Sequence, residues 1–172
     1  MGRVFAVIGA TGVAAGLIGS DSRMTFEGRV ALVENLECFL RMEAIIPDVP
    51  LVINSAGRIS DRLIACLARS HFEAPPLLHL PDYDPVGLGD YLRLREALAG
   101  RVSLFVPSDL EERFAVFGNR KLIAEKPRNR ALLEQLVGSA WPCEQSRRVF
   151  ELIKETGSGL EQECLLLKLR MA

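Results

Sequence analysis

The sequence predicts an α/β protein built around a parallel β-sheet. Segments with apolar residues at helical spacing alternate with four short, almost entirely apolar runs: Val30–Val33, Leu51–Ile53, Leu77–Leu80 and Val102–Val106. Strands that are apolar on both faces are typical of a parallel sheet covered by helices on each side. We therefore expect a four-stranded parallel sheet flanked by helices across residues 30–106.

Capping and turn residues mark the helices that connect these strands. Leu36–Ala44 has helical spacing, and a second helix is expected over about residues 60–70. Ser60 or Asp61 supplies the N-terminal cap or the first-turn charge of that second helix. Pro85 suits the first position of a third helix, which follows the third strand. The expected order of elements is therefore β-α-β-α-β-α-β.

The residues on either side of this core are expected to belong to the same domain. Residues 1–29 hold a strand candidate at Val4–Ile8 and a glycine-rich segment, which we expect to form turns packed on the core. Gly9-Ala10-Thr11-Gly12 is similar to a dinucleotide-binding loop, but Gly16 and Gly19 interrupt the helix that such a loop needs. Residues 107–172 are expected to form a helical C-terminal extension, with helices at 109–117, 130–137, 143–156 and 160–170.

Composition and charge are typical of a soluble protein that folds as one domain. The chain has 172 residues, of which 49% are hydrophobic and 25% are charged. A net charge of −1 means that any binding of nucleic acid depends on a local basic patch. No apolar run is long enough to span a membrane, and the first residues do not resemble a signal peptide, so we expect a cytoplasmic protein. The four cysteines form no CxxC pair, which favours reduced thiols in the core.

Two aspartates follow the third strand, in His79-Leu80-Pro81-Asp82-Tyr83-Asp84-Pro85-Val86-Gly87. Alternate side chains of extended backbone share a face, so Asp82 and Asp84 point the same way. Like charges this close are costly unless a cation neutralises them, and Mg²⁺ is commonly bound by one or two carboxylates. Glu34 ends the first strand, and the carboxyl ends of parallel strands meet at one crevice. The sequence therefore predicts three acids that converge on one divalent metal ion.

A simpler interpretation exists for one of these acids. Asp84 precedes Pro85, which is a good position for the N-terminal cap of a helix. Capping would explain Asp84, but it would explain neither Asp82 nor Glu34.

The arrangement of acids resembles the Toprim domain, the catalytic module of topoisomerases, bacterial primases and several nucleases. The Toprim signature is a glutamate at the end of the first core strand and an Asp-x-Asp at the end of a later one, which Glu34 and the Asp82/Asp84 pair match. Asn35 stands where the topoisomerase VI A subunit and its relatives have lysine. The resemblance covers residues 30–170 and implies a Rossmann-like Toprim fold. The segments similar to that A subunit are Val33-Glu34-Asn35 with Phe39, Gly57-Arg58-Ile59-Ser60-Asp61-Arg62, and Asp82-Tyr83-Asp84-Pro85-Val86-Gly87.

The Glu34-Asn35 pair is closer to a second branch, the nuclease subunit of the Wadjet plasmid-defence system. That branch also carries a Leu-Glu-Gln-Glu motif, which Leu160-Glu161-Gln162-Glu163 matches. This resemblance implies DNA and SMC-like defence subunits as partners, with a homodimer as a further option. The Wadjet nuclease has a DNA-binding region before its Toprim domain, for which this chain has no room. We therefore expect either an excised fragment or a stand-alone relative.

The resemblance implies cleavage of DNA phosphodiester bonds that depends on Mg²⁺ or Mn²⁺. Glu34, Asp82 and Asp84 would hold the metal, and Glu34 would alternatively move protons. A second ion would need further ligands, for which Asp61, Glu161 and Glu163 are the candidates, although a solvated or capping role is the simpler interpretation of each of these three.

Basic side chains are candidates for contact with DNA phosphates, and each group has a solvated charged face as its alternative interpretation. The first group is Arg58 and Arg62, which follow the second strand. The second group lies in the most basic window of the chain and consists of Arg120, Lys121, Lys126, Arg128 and Arg130.

Two alternatives to a nuclease remain open. Topoisomerases of this type attack DNA with a tyrosine on another domain, whereas Tyr83 and Tyr91 are expected to be structural. The chain would then be a topoisomerase VI-like catalytic half that needs a tyrosine from elsewhere. The second alternative is a non-catalytic module that binds nucleic acid or a protein partner.

Overall fold

Parallel strands and the helices that flank them form an α/β fold compatible with the Rossmann-like class. The computed structural model describes residues 4–9, 12–17, 21–47, 49–72 and 77–169. The strands within these ranges are β1 (Val4–Gly9), β2 (Gly12–Leu17), β3 (Thr25–Phe26), β4 (Val30–Val33), β5 (Leu51–Asn54), β6 (His71–Phe72), β7 (Leu77–Leu80) and β8 (Val102–Leu104). The helices are α1 (Leu36–Leu40), α2 (Met42–Ile45), α3 (Asp61–Arg69), α4 (Pro85–Ala97), α5 (Leu110–Phe117), α6 (Lys121–Ala124), α7 (Pro127–Leu136) and α8 (Glu144–Thr156), and a 3₁₀ helix covers Gln162–Leu166.

The chain divides into two compact units. Unit 1 comprises residues 1–80 and 92–105, and unit 2 comprises residues 81–91 and 106–172. Unit 1 therefore contains the sheet, whereas unit 2 contains the Asp82–Asp84 motif, the start of α4 and the C-terminal helices.

The four predicted core strands are parallel neighbours in the order β5-β4-β7-β8. All four residues of β4 are buried, as expected for a strand covered on both faces. Val33 of β4 pairs with Leu80 of β7, so these two strands end at the same edge of the sheet.

The sheet has more strands than the four predicted, because the N-terminal segment adds two antiparallel strands. β1 pairs antiparallel with β5, and β2 pairs antiparallel with β1, so the sheet has six strands in the order β2-β1-β5-β4-β7-β8. A separate two-stranded sheet joins β3 to β6, where Phe26 stacks on Phe72 with ring centroids 4.9 Å apart.

The glycine-rich segment was expected to form turns, and this prediction is wrong for Gly12–Leu17, which is strand β2. Ladder hydrogen bonds need only backbone groups, and an edge strand tolerates glycine where a neighbouring strand pairs with it. Gly9 and Gly12 face each other in the ladder, and the residues between them lie outside the described ranges, as do Gly19 and Ser20. A strand also replaces the helix that a dinucleotide-binding loop would need.

Three predicted helices differ in extent from those observed. The helix expected at 130–137 begins three residues earlier, at Pro127, and ends at Leu136. The helix expected at Leu36–Ala44 is divided at Arg41, whose φ of −122° is not helical. The helix expected at 160–170 is reduced to the 3₁₀ helix, because Leu160 and Gln162 use their backbone groups in bonds to residues distant in the sequence. Residue 170 lies outside the described ranges.

The α3 helix begins where the sequence predicts. The Ser60 Oγ accepts a hydrogen bond from the Leu63 N–H at 3.2 Å, so Ser60 is the N-terminal cap and Asp61 is the first helical residue. None of the helices within the described residues has the length and apolar character needed to cross a lipid bilayer.

Candidate functional site

Asp84 caps the N-terminus of α4, as its position before Pro85 predicts. Its Oδ1 accepts a hydrogen bond from the Gly87 N–H at 2.8 Å, and its Oδ2 accepts one from Asn129 Nδ2 at 2.9 Å. Burial raises the pKa of Asp84, while these hydrogen bonds and the positive charge of Lys126 act in the opposite direction. The capping role is therefore confirmed.

Asp82 lies in a strongly negative part of unit 2. It is half-buried, and its Oδ1 accepts a hydrogen bond from the Gln162 N–H at 2.8 Å. The pKa of Asp82 is raised to about 6, first by burial and then by the negative charges of Asp84, Glu163 and Glu161, against the lowering effect of the Gln162 N–H. Negative charge concentrated in this way favours either a bound proton or a cation at the same place.

The Leu160–Glu163 motif contacts the aspartate motif directly. Tyr83 and Leu160 exchange two backbone hydrogen bonds, of 2.9 and 3.0 Å, in an isolated antiparallel bridge. Gln162 is fully buried, whereas Glu161 and Glu163 on either side of it are exposed. Two motifs that are some eighty residues apart in the sequence are therefore joined within unit 2.

Asn129 is a site residue that sequence analysis missed. It is buried on α7, and its Nδ2 donates hydrogen bonds to Asp84 Oδ2 and to the Leu122 carbonyl at 2.8 Å. No feature of the sequence around Asn129 indicates this role, because its partner Asp84 is 45 residues away in the chain. Its amide fixes one orientation of the Asp84 carboxylate, which is how outer residues orient the ligands of a metal site.

The basic segment surrounds Asn129 in the sequence and presents its charges to solvent. We define the basic segment as residues 120–130, which cover α6 and the start of α7. Leu122, Ile123 and Asn129 are its buried residues. The five predicted DNA-contacting residues of this segment are all exposed: Arg120, Lys121, Lys126, Arg128 and Arg130.

Glu34 lies in unit 1, directly after β4, and is half-buried. Its carbonyl oxygen accepts hydrogen bonds from the Gly57 N–H at 3.3 Å and from Asn54 Nδ2 at 3.4 Å. Asn35 Oδ1 accepts a hydrogen bond from the Cys38 N–H at 3.0 Å and so caps α1. This cap is a local structural reason for an asparagine at the position where topoisomerase VI relatives have lysine.

The remaining predicted residues of unit 1 cluster at the start of α3. Arg58 and Arg62 are both exposed, on either side of the cap residue Ser60. Asp61, a candidate for a second metal ion, instead forms an ion pair with Arg93 of α4. Asp61 therefore behaves as the charged first-turn residue that its position predicts.

The predicted acids are divided between the two units. Glu34 belongs to unit 1, while Asp82, Asp84, Glu161 and Glu163 belong to unit 2. Within the described part of the chain, no three histidine, cysteine, aspartate or glutamate side chains are placed to bind one metal ion together. The donor chemistry of Asp82 and Asp84 nevertheless fits Mg²⁺ or Mn²⁺, because two carboxylates and retained waters make a common site for a hard cation.

Both tyrosines of the chain are structural. Tyr83 and Tyr91 are fully buried, with 0% of each residue exposed. The Tyr91 hydroxyl lies 3.9 Å from Cys143 Sγ inside unit 2. A phenol in such a position cannot approach a phosphodiester bond in this conformation.

The fold is α/β, and within unit 2 Asn129 joins the Asp82–Asp84 motif to the basic segment. No protein-family model matches the chain, and a search of curated proteins finds no match. Its function is therefore inferred from its own residues and their arrangement.

Replacing Asn129 with alanine tests the hydrogen bond that orients Asp84. Asn129→Ala leaves a buried carboxylate oxygen and the Leu122 carbonyl without this donor, so we expect the free energy of unfolding to fall by ~2–3 kcal/mol. The hydrogen bond from Asn129 lowers the pKa of Asp84, so its loss in Asn129→Ala raises that pKa. The loss of stability should therefore be largest at neutral pH, where Asp84 is ionised, and should shrink as acid protonates Asp84. Urea unfolding at several pH values measures both effects.

The matched control for this variant is Gln135→Ala. Gln135 is an exposed residue on the same helix, and its replacement should change the unfolding free energy by less than ~0.5 kcal/mol. Equal stability of the two variants would show that Asn129 does not support Asp84.

Proposed function

We propose that the chain is a Toprim-type nuclease that hydrolyses DNA phosphodiester bonds with the help of Mg²⁺ or Mn²⁺. The observation that carries the proposal is the hydrogen bond between Asn129 and Asp84. This bond connects the acidic motif to the basic segment, so residues suited to a metal ion and residues suited to a phosphate backbone are held together within unit 2.

Each group has a separate task in the proposed reaction. The exposed cations of the basic segment bind the DNA backbone and neutralise its charge. Asp82 and Asp84 hold the divalent cation, and Asn129 keeps the Asp84 carboxylate in one orientation. When bound, the cation supplies charge neutralisation at the scissile phosphate and a lower pKa for the attacking water. Glu34 is proposed as the third metal-binding acid only because the chain resembles the Toprim domain.

Water is the nucleophile in this proposal. A topoisomerase would need a tyrosine, and the burial of Tyr83 and Tyr91 argues against either of them in that role. The topoisomerase VI-like alternative therefore requires a tyrosine from another domain or subunit.

A role in plasmid defence is supported by the contact between the two sequence motifs. The Leu160–Glu163 segment, which is similar to the Wadjet nuclease, bonds to Tyr83 and Asp82 of the aspartate motif. The contact brings Glu161 and Glu163 close enough to Asp82 for their negative charges to raise its pKa. This shared acidic cluster favours a function in the defence branch, with SMC-like subunits as partners.

The test is incubation of the purified chain with supercoiled plasmid DNA in Mg²⁺, in Mn²⁺ and in EDTA. The proposal predicts nicked or linear DNA with either metal and intact plasmid in EDTA. Glu112→Gln is the matched control variant, because Glu112 is an exposed acid of unit 2 outside the site, and this variant should cleave like the unmodified chain.

Two results would contradict the proposal. Plasmid that stays supercoiled with both metals, although the chain still binds DNA, would identify a non-catalytic binding module. DNA that becomes covalently attached to the protein would identify the topoisomerase-like alternative.

A further inference from the structure

A polar cavity of about 660 Å³ lies in unit 1, at the start of α3. Its lining residues are Arg58, Ile59, Ser60, Asp61 and Arg93. The volume lies within the usual range for small-molecule sites, but such sites are mostly apolar, whereas this lining contains two guanidinium groups and one carboxylate. Its chemistry therefore suits an anion.

The loop that carries Arg58 is held firmly by its own hydrogen bonds. The Ser55 N–H donates to the Val33 carbonyl at 2.9 Å, and the Ala56 N–H donates to Asn54 Oδ1 at 2.8 Å. Directly after Arg58, Ile59 is buried and anchors the chain. Arg58 is therefore presented to the cavity from a fixed piece of backbone, which reduces the entropy lost when a ligand binds.

Asp61 already occupies the guanidinium group of Arg93, so a bound anion would compete with the Asp61 carboxylate for Arg93. It pairs with Arg93, but its side chain is 96% exposed and that of Arg93 is 35% exposed. Exposed pairs of this kind contribute little stability, so an incoming anion can replace the carboxylate at low cost. Arginine forms a bidentate pair with phosphate as readily as with carboxylate.

We infer that this cavity, here called the Arg58/Arg93 site, binds a backbone phosphate of DNA and that Asp61 weakens this binding by competing for Arg93. The inference rests on the proposed function for its ligand. It adds Arg93 as a phosphate contact and assigns Asp61 an opposing effect. The binding step needs no metal, because both contacts are made by guanidinium groups.

The test measures binding of a fluorescently labelled DNA duplex in EDTA, so that cleavage cannot interfere. Arg58→Gln and Arg93→Gln should each weaken binding about 10-fold. Each should also reduce the slope of log affinity against log salt concentration by about 1. Asp61→Asn should instead tighten binding a few-fold, which a generally damaged fold would not do.

The control is Arg41→Gln. Arg41 is an exposed arginine of unit 1 that pairs with Glu37, in the same way that Arg93 pairs with Asp61, but it lies outside the cavity. This variant should bind the duplex with unchanged affinity and salt slope. Unchanged affinity in all three cavity variants would overturn the inference.

Inorganic phosphate, added in a thermal-shift assay, separates DNA from a small free anion as the ligand. The inference fails if phosphate raises the melting temperature of the unmodified chain but not of Arg58→Gln or Arg93→Gln, while both variants keep the DNA affinity of the unmodified chain. In that case the site binds a small phosphate compound. The nuclease proposal is judged separately by plasmid cleavage. DNA binding that depends on Arg58 and Arg93, without plasmid cleavage, would support the Arg58/Arg93 site and contradict the nuclease proposal.

Discussion

Asp82→Asn is expected to abolish DNA cleavage and, in the absence of metal, to make the folded protein more stable. Asparagine keeps the oxygen that accepts the Gln162 N–H, but it removes one negative charge from a cluster of acids. Loss of a charged metal ligand should reduce the cleavage rate by about 100-fold or more. A substitution that improves folding while destroying activity identifies a residue that is retained for function.

The stability effect has a defined pH dependence. The folded-state pKa of Asp82 is about 6, whereas the ordinary value is 3.8. A raised carboxyl pKa means that ionised Asp82 opposes folding above pH 6 and that this cost disappears as the pH falls towards 4. Each tenfold difference in proton affinity corresponds to ~1.4 kcal/mol, so we expect Asp82→Asn to add ~1–3 kcal/mol above pH 6.

Thermal unfolding of both proteins in EDTA at several pH values measures this difference. The two melting curves should converge as the pH approaches 4. Addition of Mg²⁺ above pH 6 should then stabilise the unmodified chain by mass action and leave Asp82→Asn unchanged. An Asp82→Asn protein that is less stable than the unmodified chain at every pH would show that Asp82 is a structural residue.

Gly87→Ala is expected to destabilise the protein severely. A Cβ atom at this position would lie 2.0 Å from the Asp82 carbonyl oxygen and 2.9 Å from Pro81 Cβ. Backbone must move to relieve such an overlap, so we expect a loss of ~3 kcal/mol or more in the free energy of unfolding. The aspartate segment is the part that must shift, so any folded protein that remains should cleave poorly.

Gly89→Ala provides the matched control on the same helix. A Cβ atom at Gly89 meets nothing within 4 Å, and alanine is favoured over glycine in a helix by up to ~1 kcal/mol. Gly89→Ala should therefore be neutral or slightly stabilising, and urea unfolding of the two variants compares them directly. If both alanine variants are equally stable, the close approach of α4 to the Asp82 backbone is not a constraint on the fold.

Local sequence features predicted the parts of the fold that depend on neighbouring residues. Ser60 and Asp84 both cap helices as expected, because a cap involves only the next few residues of the chain. The four parallel core strands were likewise predicted, because continuous apolar runs follow from burial on both faces.

Features that depend on distant partners were missed. β2 contains glycines that are typical of turns, and only its pairing with β1 makes Gly12–Leu17 a strand. Asn129 has no local property that marks it as the partner of Asp84, since the hydrogen bond joins residues 45 positions apart. The 3₁₀ helix at Gln162–Leu166 is shortened by the bond between Gln162 and Asp82 for the same reason.

The central claim is a metal centre at Asp82 and Asp84, and the most direct test is to measure Mn²⁺ binding to the purified chain by calorimetric titration. The titration is done above pH 6, because Asp82 is ionised there. We expect the unmodified chain and Glu112→Gln to bind Mn²⁺, and Asp82→Asn and Asp84→Asn to lose that binding. Equal binding by all four proteins, or no binding by the unmodified chain even with DNA present, would contradict a metal centre at Asp82 and Asp84.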